Sequence, residues 1–486
     1  MKMNKEFEVR KEEILRIPYS FAKKNNVIFL KEAHFKIYIG IDDPLNIEPI
    51  NELRLFFNKE IESVKIEKSK IEKIIEEYYL EKREEKKEKS FEQSDYGYDL
   101  LDKSESNSAV NILNSIILEA VSQKASDIHF EPLADSLSIR YRIDGVLQKK
   151  PSVSKDMQSQ IITRIKVISK LDIAEKRLPQ DGRIKLFLNK REVDFRISTI
   201  PTINGERVVL RILDKTNIVF GFETLIQDVE LVKTLKHDIS IPEGIILVTG
   251  PTGSGKTTTL YSAISELDFK KLNIMTIEDP VEYKLNEISQ IAINPKIDLT
   301  FAKGLKHILR QDPDIIMVGE IRDKETAQIA IQAALTGHLV LSTLHTNDSP
   351  SAIARLVDMG IEPYLISTTV VSILAQRLLR KLCEHCKKEY EPEGATILNY
   401  RFKKRKYFKA EGCEKCFYTG YNGRIGIYEY MKLDKNIKRQ LLINADANEI
   451  KNVLPSDYKT LLKSAFEIFE NGQTSIDEIF RVTRTI

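Results

Sequence analysis

Gly250-Pro-Thr-Gly-Ser-Gly-Lys-Thr257 fits the phosphate-binding pattern G-x-x-x-x-G-K-[ST]. The residues on either side supply the context that pattern needs. Ile245-Ile-Leu-Val248 is an unbroken apolar run, as expected of a strand buried on both faces. Thr257, Thr258, Leu260, Tyr261, Ala263 and Ile264 read as the first turns of a helix. Strand, glycine loop and helix together make an anion site. The glycines let backbone N–H groups approach phosphate oxygens, and the helix N-terminus adds partial positive charge. The expected nucleotide-binding residues are therefore Gly250, Pro251, Thr252, Gly253, Ser254, Gly255, Lys256, Thr257 and Thr258. Lys256 can reach the β- and γ-phosphates, and the Thr257 hydroxyl can ligate Mg²⁺.

The chain around this loop is long enough, at 486 residues, for several domains. It is 42% hydrophobic and 30% charged, which is ordinary for a protein with real cores. Lys and Arg total 75 against 72 Asp and Glu, so net charge points to neither nucleic acid nor membrane. No run of about 18 apolar residues occurs, so no spanning helix is expected. Met1-Lys-Met-Asn-Lys-Glu-Phe-Glu8 lacks the apolar core of a signal peptide. The expected location is cytosolic, with any membrane role exerted through partners.

Residues 1–80 read as a small α+β module, with strand patterns at Val27–Leu30 and Phe35–Gly40 and a helix at Ile71–Leu80. Residues 81–107 are charged and then rich in Ser, Asp and Tyr, a composition that buries no core and suggests a linker. A solvated extension of the preceding helix fits residues 81–88 equally well. A second unit begins at Ser108, where Val110, Leu113, Ile117, Ala120 and Val121 mark an amphipathic face. Ile128–Phe130, Leu137–Ile143 and Val193–Ile197 alternate like half-buried strands. This unit spans 108–217, and the nucleotide-binding domain spans 218–486.

Three further segments carry acids or histidines. Asp314-Ile-Ile-Met-Val-Gly-Glu320 is an apolar strand ending in an acid, with Gly319 where many NTPases have Asp. Glu320 can orient water or influence Mg²⁺. Ile277-Glu278-Asp-Pro-Val-Glu282 puts Glu278, Asp279 and Glu282 at another strand end, where they can polarise water or hold hydrated Mg²⁺. His338 and His345 flank an apolar strand. Spacing alone makes them a pair of half-buried, hydrogen-bonded histidines rather than a metal pair.

Cys383-Glu-His-Cys386 and Cys413-Glu-Lys-Cys416 are two knuckles 26 residues apart. They supply the four thiolates that tetrahedral Zn²⁺ prefers, and their interval is too polar to fold without a staple. The zinc would be structural, held by Cys383, Cys386, Cys413 and Cys416 in an insertion over 380–425. In the second unit, Arg140, Arg142, Arg183, Arg196, Arg207 and Arg211 alternate with Asp127, Glu131, Asp144, Asp181, Asp194 and Glu206. So many acids argue against a groove for a phosphate backbone. Arginines that reach a nucleotide, or that form surface ion pairs, fit better.

These motifs resemble those of the bacterial type II secretion and type IV pilus assembly ATPases. The resemblance rests on Ser126-Asp-Ile-His-Phe-Glu-Pro132, Leu178-Pro-Gln-Asp-Gly-Arg183, Gly205-Glu-Arg-Val-Val-Leu-Arg211 and Leu309-Arg-Gln-Asp-Pro-Asp314. Val318-Gly-Glu-Ile-Arg-Asp323, Ala375-Gln-Arg-Leu-Leu-Arg380 and Gly420–Glu429 carry it further. It implies a RecA-like P-loop NTPase core in an α/β multidomain chain. Before that core come a small N-terminal α+β module, a linker and a PAS-like α+β domain; the zinc insertion lies within it. It implies Glu320 as catalytic carboxylate, Glu278, Asp279 and Glu282 as an acidic box, and His338 and His345 as a histidine box at the nucleotide. Arg183, Arg196, Arg207 and Arg211 match arginines that such enzymes place near ATP.

The resemblance also implies a homohexamer, cytoplasmic and peripheral at the inner membrane. Such a ring drives an inner-membrane platform protein and binds a cytoplasmic adaptor through the N-terminal module, with ATP, Mg²⁺ and structural Zn²⁺ as cofactors. The extra leading domain of some members is expected to be missing. Retraction motors of the superfamily usually lack both the knuckles and the N-terminal module. A RecA-like nucleic-acid translocase would need basic loops with aromatic positions, for which only Lys403-Lys-Arg-Lys-Tyr-Phe408 qualifies. No direct nucleic-acid partner is expected.

Overall fold

A computed structural model describes residues 14–75 apart from 15, 18, 34–35 and 58, and then 98–99. It further describes 108–213 apart from 189–190, and 220–483 apart from 392–395, 398–399 and 402–405. Nearly all of the expected linker, the end of the helix expected at 71–80 and the basic run at 403–405 lie outside the described residues. The chain divides into two compact units, Met1–Asp214 and Lys215–Ile486. No described helix is long and apolar enough to cross a membrane.

The first unit holds two sheets. Val27–Ala33, Lys36–Ile41 and Glu60–Lys65 form a three-stranded sheet around Phe29, Ile37, Ile39 and Leu53. The second sheet has seven strands, in the order Tyr98–Asp99, Gln180–Leu188, Arg191–Thr202, Gly205–Leu213, Asp127–Pro132, Ser136–Ile143 and Val146–Ser154. All its pairs are antiparallel except the first. Period-2 alternation gives it one apolar face, where Ile128, Phe130, Tyr141 and Phe195 meet Leu113, Ile117, Ile161 and Ile165 of two helices, Ser108–Ser122 and Lys155–Ile168. The buried Tyr141 hydroxyl donates to the Ile116 carbonyl at 2.9 Å.

The second unit is built on one sheet of seven strands: β1 (Gly244–Thr249), β2 (Ile274–Glu278), β3 (Ser289–Ala292), β4 (Ile315–Val318), β5 (Leu339–Leu344), β6 (Val370–Leu382) and β7 (Tyr421–Lys432). Their order is β3-β2-β4-β5-β1-β6-β7, and only the β6–β7 pair is antiparallel. Every residue of β1, β4 and β5 is buried. Such strands need helices on both faces, and two separate apolar clusters supply that cover. Four helices follow strand ends or their loops: α1 (Lys256–Ser265), α2 (Phe301–Ile308), α3 (Lys324–Leu335) and α4 (Ser349–Asp358). The side chains of Thr300, Asp323 and Asp348 cap α2, α3 and α4 by accepting a backbone N–H of the first turn. Parallel strands bring all their C-terminal ends to one edge, and the functional groups collect there.

Candidate active site

The loop between β1 and α1 turns sharply at Gly250, whose φ is +150°. A Cβ on Gly250 would lie 2.5 Å from the Gln376 carbonyl oxygen and 2.6 Å from Ser254 Oγ, so only glycine fits. Gln376, on the neighbouring β6, is 2% exposed. Its Nε2 donates to the Ser254 carbonyl at 2.6 Å and its Oε1 accepts from Thr259 Oγ1 at 2.7 Å. One side chain thus fastens both the loop and the first turn of α1. Sequence reasoning assigned Gln376 no role, because a glutamine within an apolar strand has no spacing signature.

Lys256 opens α1 and is 8% exposed. Its ammonium donates to the Gly250 carbonyl at 2.8 Å and the Pro251 carbonyl at 3.1 Å. Burial brings its pKa down to about 8 against the opposing pull of Glu320. Thr257 is exposed on the first turn, and Thr258 is half-buried.

Gly319 follows β4 and donates its N–H to the Ile277 carbonyl at 2.8 Å. A Cβ here would sit 3.3 Å from that same oxygen and 3.4 Å from Glu278 Cα. The close approach of β2 leaves little room for a side chain at this position. Glu320 comes next and is held from both sides. Arg322 donates to one carboxylate oxygen, and His345 Nε2 lies 3.3 Å from the other. Partial burial, followed by the nearby Lys256 charge, holds the His345 imidazole below its usual pKa. The turn bearing Glu320 is tied to β5, with Thr343 Oγ1 donating to the Gly319 carbonyl at 2.7 Å. The segment after His345 is tied to β1, where Thr346 N donates to Thr249 Oγ1 at 3.0 Å. Lys256, Glu320 and His345 therefore meet at one sheet edge, each within electrostatic reach of the others.

Two expected site residues fall elsewhere. Glu278 ends β2 but is only 1% exposed. It accepts from Tyr261 Oη at 2.5 Å, Thr276 Oγ1 at 2.6 Å and Gln290 Nε2 at 3.1 Å. A carboxylate so enclosed anchors the acidic segment and does not face solvent. The neighbouring Asp279 is exposed and within electrostatic reach of Arg322, and Glu282 is half-buried in the same segment. His338 stands at the opposite edge of the sheet. Its carbonyl accepts from Gly244 N at 3.1 Å, at the start of β1. Its Nδ1 lies 2.8 Å from the Ala333 carbonyl and donates to it. The six-residue strand between the histidines separates them by about 20 Å, so the structure does not bring His338 to the loop beside it.

In the first unit, the polar face of the seven-stranded sheet carries the arginines. Arg183 faces Arg196, Arg196 faces Arg211, Arg211 faces Asp127 and Asp127 faces Arg142 across successive strands. Directly opposed residues share a face, so these side chains form one row. Arg211 pairs with Asp127 at 3.0 Å, and Arg207 with Glu131 at 2.7 Å. The row of four arginines and one aspartate carries net positive charge, with Asp127 shared by Arg211 and Arg142 and Glu131 by Arg207 and Arg140.

The four cysteines converge where β6 ends and β7 begins, with all four sulfurs within 4.8 Å of one another. Cys383–Cys413 is 3.9 Å, and Cys386–Cys416 and Cys413–Cys416 are 3.8 Å. A tetrahedron with zinc–sulfur bonds of about 2.3 Å has edges of about 3.8 Å. The Cys413 and Gly420 N–H groups donate to Cys416 Sγ. Burial opposes them, yet they bring that thiol down to about 6. Burial pushes its neighbour Cys386 up to about 12. One thiolate opposes the next in so tight a cluster, and a divalent cation removes that opposition, so the donor set fits Zn²⁺.

A glycine loop, an ammonium, a carboxylate and an imidazole at the C-terminal edge of a parallel sheet define a P-loop ATPase. The comparisons narrow this further. Residues 102–481 match the family model for type II/IV secretion system proteins, and residues 4–85 match the MshEN domain. The type II secretion system ATPase E of Vibrio cholerae is 40% identical over 493 residues, covering 98% of this chain and 98% of that protein. The type II secretion system protein E of Klebsiella pneumoniae is 48% identical over 389 residues, 79% of this chain and 78% of its own. Among solved structures, the pilus retraction motor PilT with bound ADP is 26% identical with a TM-score of 0.51, covering 76% of this chain and 96% of that one. The Legionella pneumophila ATPase DotB shares the fold, with a TM-score of 0.57 at 22% identity over 81% of this chain and all of that one. The chain belongs to the type II/IV secretion system protein family, and is an ATP hydrolase coupled to secretion.

Proposed function

We propose that this protein works as a ring of six, cytoplasmic and peripheral at the inner membrane. It hydrolyses ATP to drive assembly of a secretion or DNA-uptake pseudopilus, or of a type IV pilus, through an inner-membrane platform protein. The N-terminal module engages a cytoplasmic adaptor. The observation that carries this reading is the meeting of Lys256, Glu320 and His345 at one sheet edge.

The chemistry follows from those positions. Loop N–H groups and Lys256 hold the β- and γ-phosphates, and Thr257 offers its hydroxyl to Mg²⁺. Glu320 orients the attacking water and takes its proton. His345, biased toward its neutral form, hydrogen-bonds the γ-phosphate and reports its loss to Glu320. Of the three acids expected at hydrated Mg²⁺, Asp279 and Glu282 would keep that part, and the enclosed Glu278 would not. The arginine row supplies positive charge to the phosphates, and closing and reopening around them does the mechanical work. Zinc bound by the four cysteines staples the 380–425 insertion. Chelation should raise hydrogen exchange there while initial nucleotide binding persists.

The deciding experiment measures phosphate release against oligomeric state by light scattering over a range of concentrations. Turnover per chain that rises with the hexamer fraction supports a site completed between subunits. A fully active monomer overturns the ring reading.

A further inference from the structure

Arg377, next to Gln376 on β6, is 7% exposed. Among the described residues no carboxylate pairs with it directly, although the Asp348 charge lies within electrostatic reach. One guanidinium nitrogen donates to Asn347 Oδ1 at 3.0 Å, and another donates to the Val482 carbonyl at 3.4 Å. The third, Nε, is buried without a partner. A buried cation held by one amide and one carbonyl is a poor choice for stability, since an apolar side chain of similar volume would pack there at lower cost. What it grips supplies a reason for its presence.

Asn347 lies two residues beyond His345, in the short segment between β5 and α4. That segment is fixed at Thr346 by Thr249 of β1, and at Ser349 by the buried Glu429 of β7, which accepts the Ser349 N–H at 2.9 Å. Between these two points Arg377 grips Asn347, while Lys451 pairs with the neighbouring Asp348 at 2.7 Å. Arg377 is itself backed by the terminal helix Ile476–Thr483. That helix is locked to the same strand through Glu478, which accepts from Arg380 N at 2.9 Å and Arg380 Nε at 3.0 Å.

We infer that Arg377 is a positioning residue for ATP hydrolysis: by gripping Asn347 it fixes the segment that carries His345 beside Glu320, with the terminal helix as its backstop. This rests on the reading of His345 as the group that senses the γ-phosphate. A misplacement of that imidazole weakens the hydrolytic step while the phosphate loop, held separately by Gln376, keeps its grip on ATP.

The test compares Arg377→Gln, Arg377→Lys, Asn347→Ala, the Arg377→Gln/Asn347→Ala double variant and His345→Ala in the full chain. The readouts are kcat, KM for ATP and thermal stability. The expected result is a loss of about tenfold or more in kcat for Arg377→Gln and for Asn347→Ala, with little change in KM. The double variant should be no worse than the poorer single one, because both cut the same bond. Arg377→Lys, which keeps one donor, should recover part of the loss. Losses that multiply in the double variant, or a KM that rises while kcat holds, overturn the inference. So does full activity in Asn347→Ala, an exposed position that folds even where Arg377→Gln does not. If His345→Ala turns over normally, the sensing role of His345 fails. An Arg377→Gln defect alongside normal His345→Ala would show Arg377 acting by another route, and that too overturns it.

Discussion

The two seven-stranded sheets of this chain display charge in different ways. In the second unit the sheet is parallel over most of its width and its inner strands are buried on both faces, so no strand surface is left for chemistry. Functional groups are pushed to the loops at the C-terminal edge, where Lys256, Glu320 and His345 meet. In the first unit the larger sheet is antiparallel with helices on one face, and the other face is free to carry Arg183, Arg196, Arg211 and Arg142 in one cross-strand row. A parallel sheet concentrates chemistry at a line of loop tips, which suits precise contact with a small phosphate group. An antiparallel face spreads charge over strands fixed by register, which suits a broad cationic surface.

That contrast breaks if the loop edge is dispensable. Lys256→Ala should lower ATP turnover by about a thousandfold, the upper end of what removing one charge-stabilising donor costs. Its melting temperature should not fall, because the substitution removes a buried cation whose burial already opposes its charge. Retained turnover in a phosphate-release assay would end the assignment. On the arginine face, where charge is shared, each of Arg183→Ala, Arg196→Ala and Arg211→Ala should cost less, about a hundredfold in kcat, with unchanged circular dichroism. If none of the three changes turnover, the face serves a partner other than the phosphates.

The loop edge was legible because its chemistry demands residue types at set spacings. A turn at φ +150° pressed against Gln376 must be glycine, and the lysine and threonine must open the next helix. The four cysteines were legible for the same reason. The histidines show where resemblance reaches past the residues. Spacing alone favoured two hydrogen-bonded side chains and the resemblance put both at the nucleotide, yet a straight strand between them leaves His338 at the far edge, bonded to the Ala333 carbonyl. The acids at 278–282 show a second limit. Three carboxylates near a strand end look alike in sequence, but the last strand residue points inward to Tyr261 and its successor outward. Gln376 was invisible because its role arises from the β1–β6 register, which pairs Thr249 with Ala375 across 126 positions of chain. The arginine face was read only as alternation, since sequence cannot say which strand lies beside which.

A pH profile separates the two surfaces at moderate cost. The pKa of Lys256 lies near 8, below the ordinary lysine value, so its charge is present below that pH and is lost above it. ATP bound to the ammonium favours the charged form, so the effect belongs to the free enzyme and appears in kcat/KM. At pH 9, kcat/KM should be about tenfold below its value at pH 7, because a group with a pKa of 8 is then about nine-tenths deprotonated. Arginines stay charged throughout this range. A profile flat to pH 9.5 would mean that Lys256 keeps its proton through a closer approach of Glu320.

The smallest effect concerns a residue inside the most informative acidic motif. Asp323 closes Val318-Gly-Glu-Ile-Arg-Asp323 and looks as chemical as Glu320. Its carboxylate instead accepts from Thr326 N at 2.8 Å and Thr326 Oγ1 at 3.0 Å, capping α3. Asp323→Ala should therefore cost about 1 kcal/mol of stability, the usual worth of a lost N-cap, and Asp323→Asn should restore most of it. Turnover measured well below the melting point should stay within about twofold for both variants, since a cap acts through the helix and not on the phosphate. If Asp323→Asn loses activity while keeping its melting temperature, the charge itself matters at the loop edge. The site would then extend past Arg322 to the start of α3, and the line of loop tips would be one residue longer than the geometry assigns.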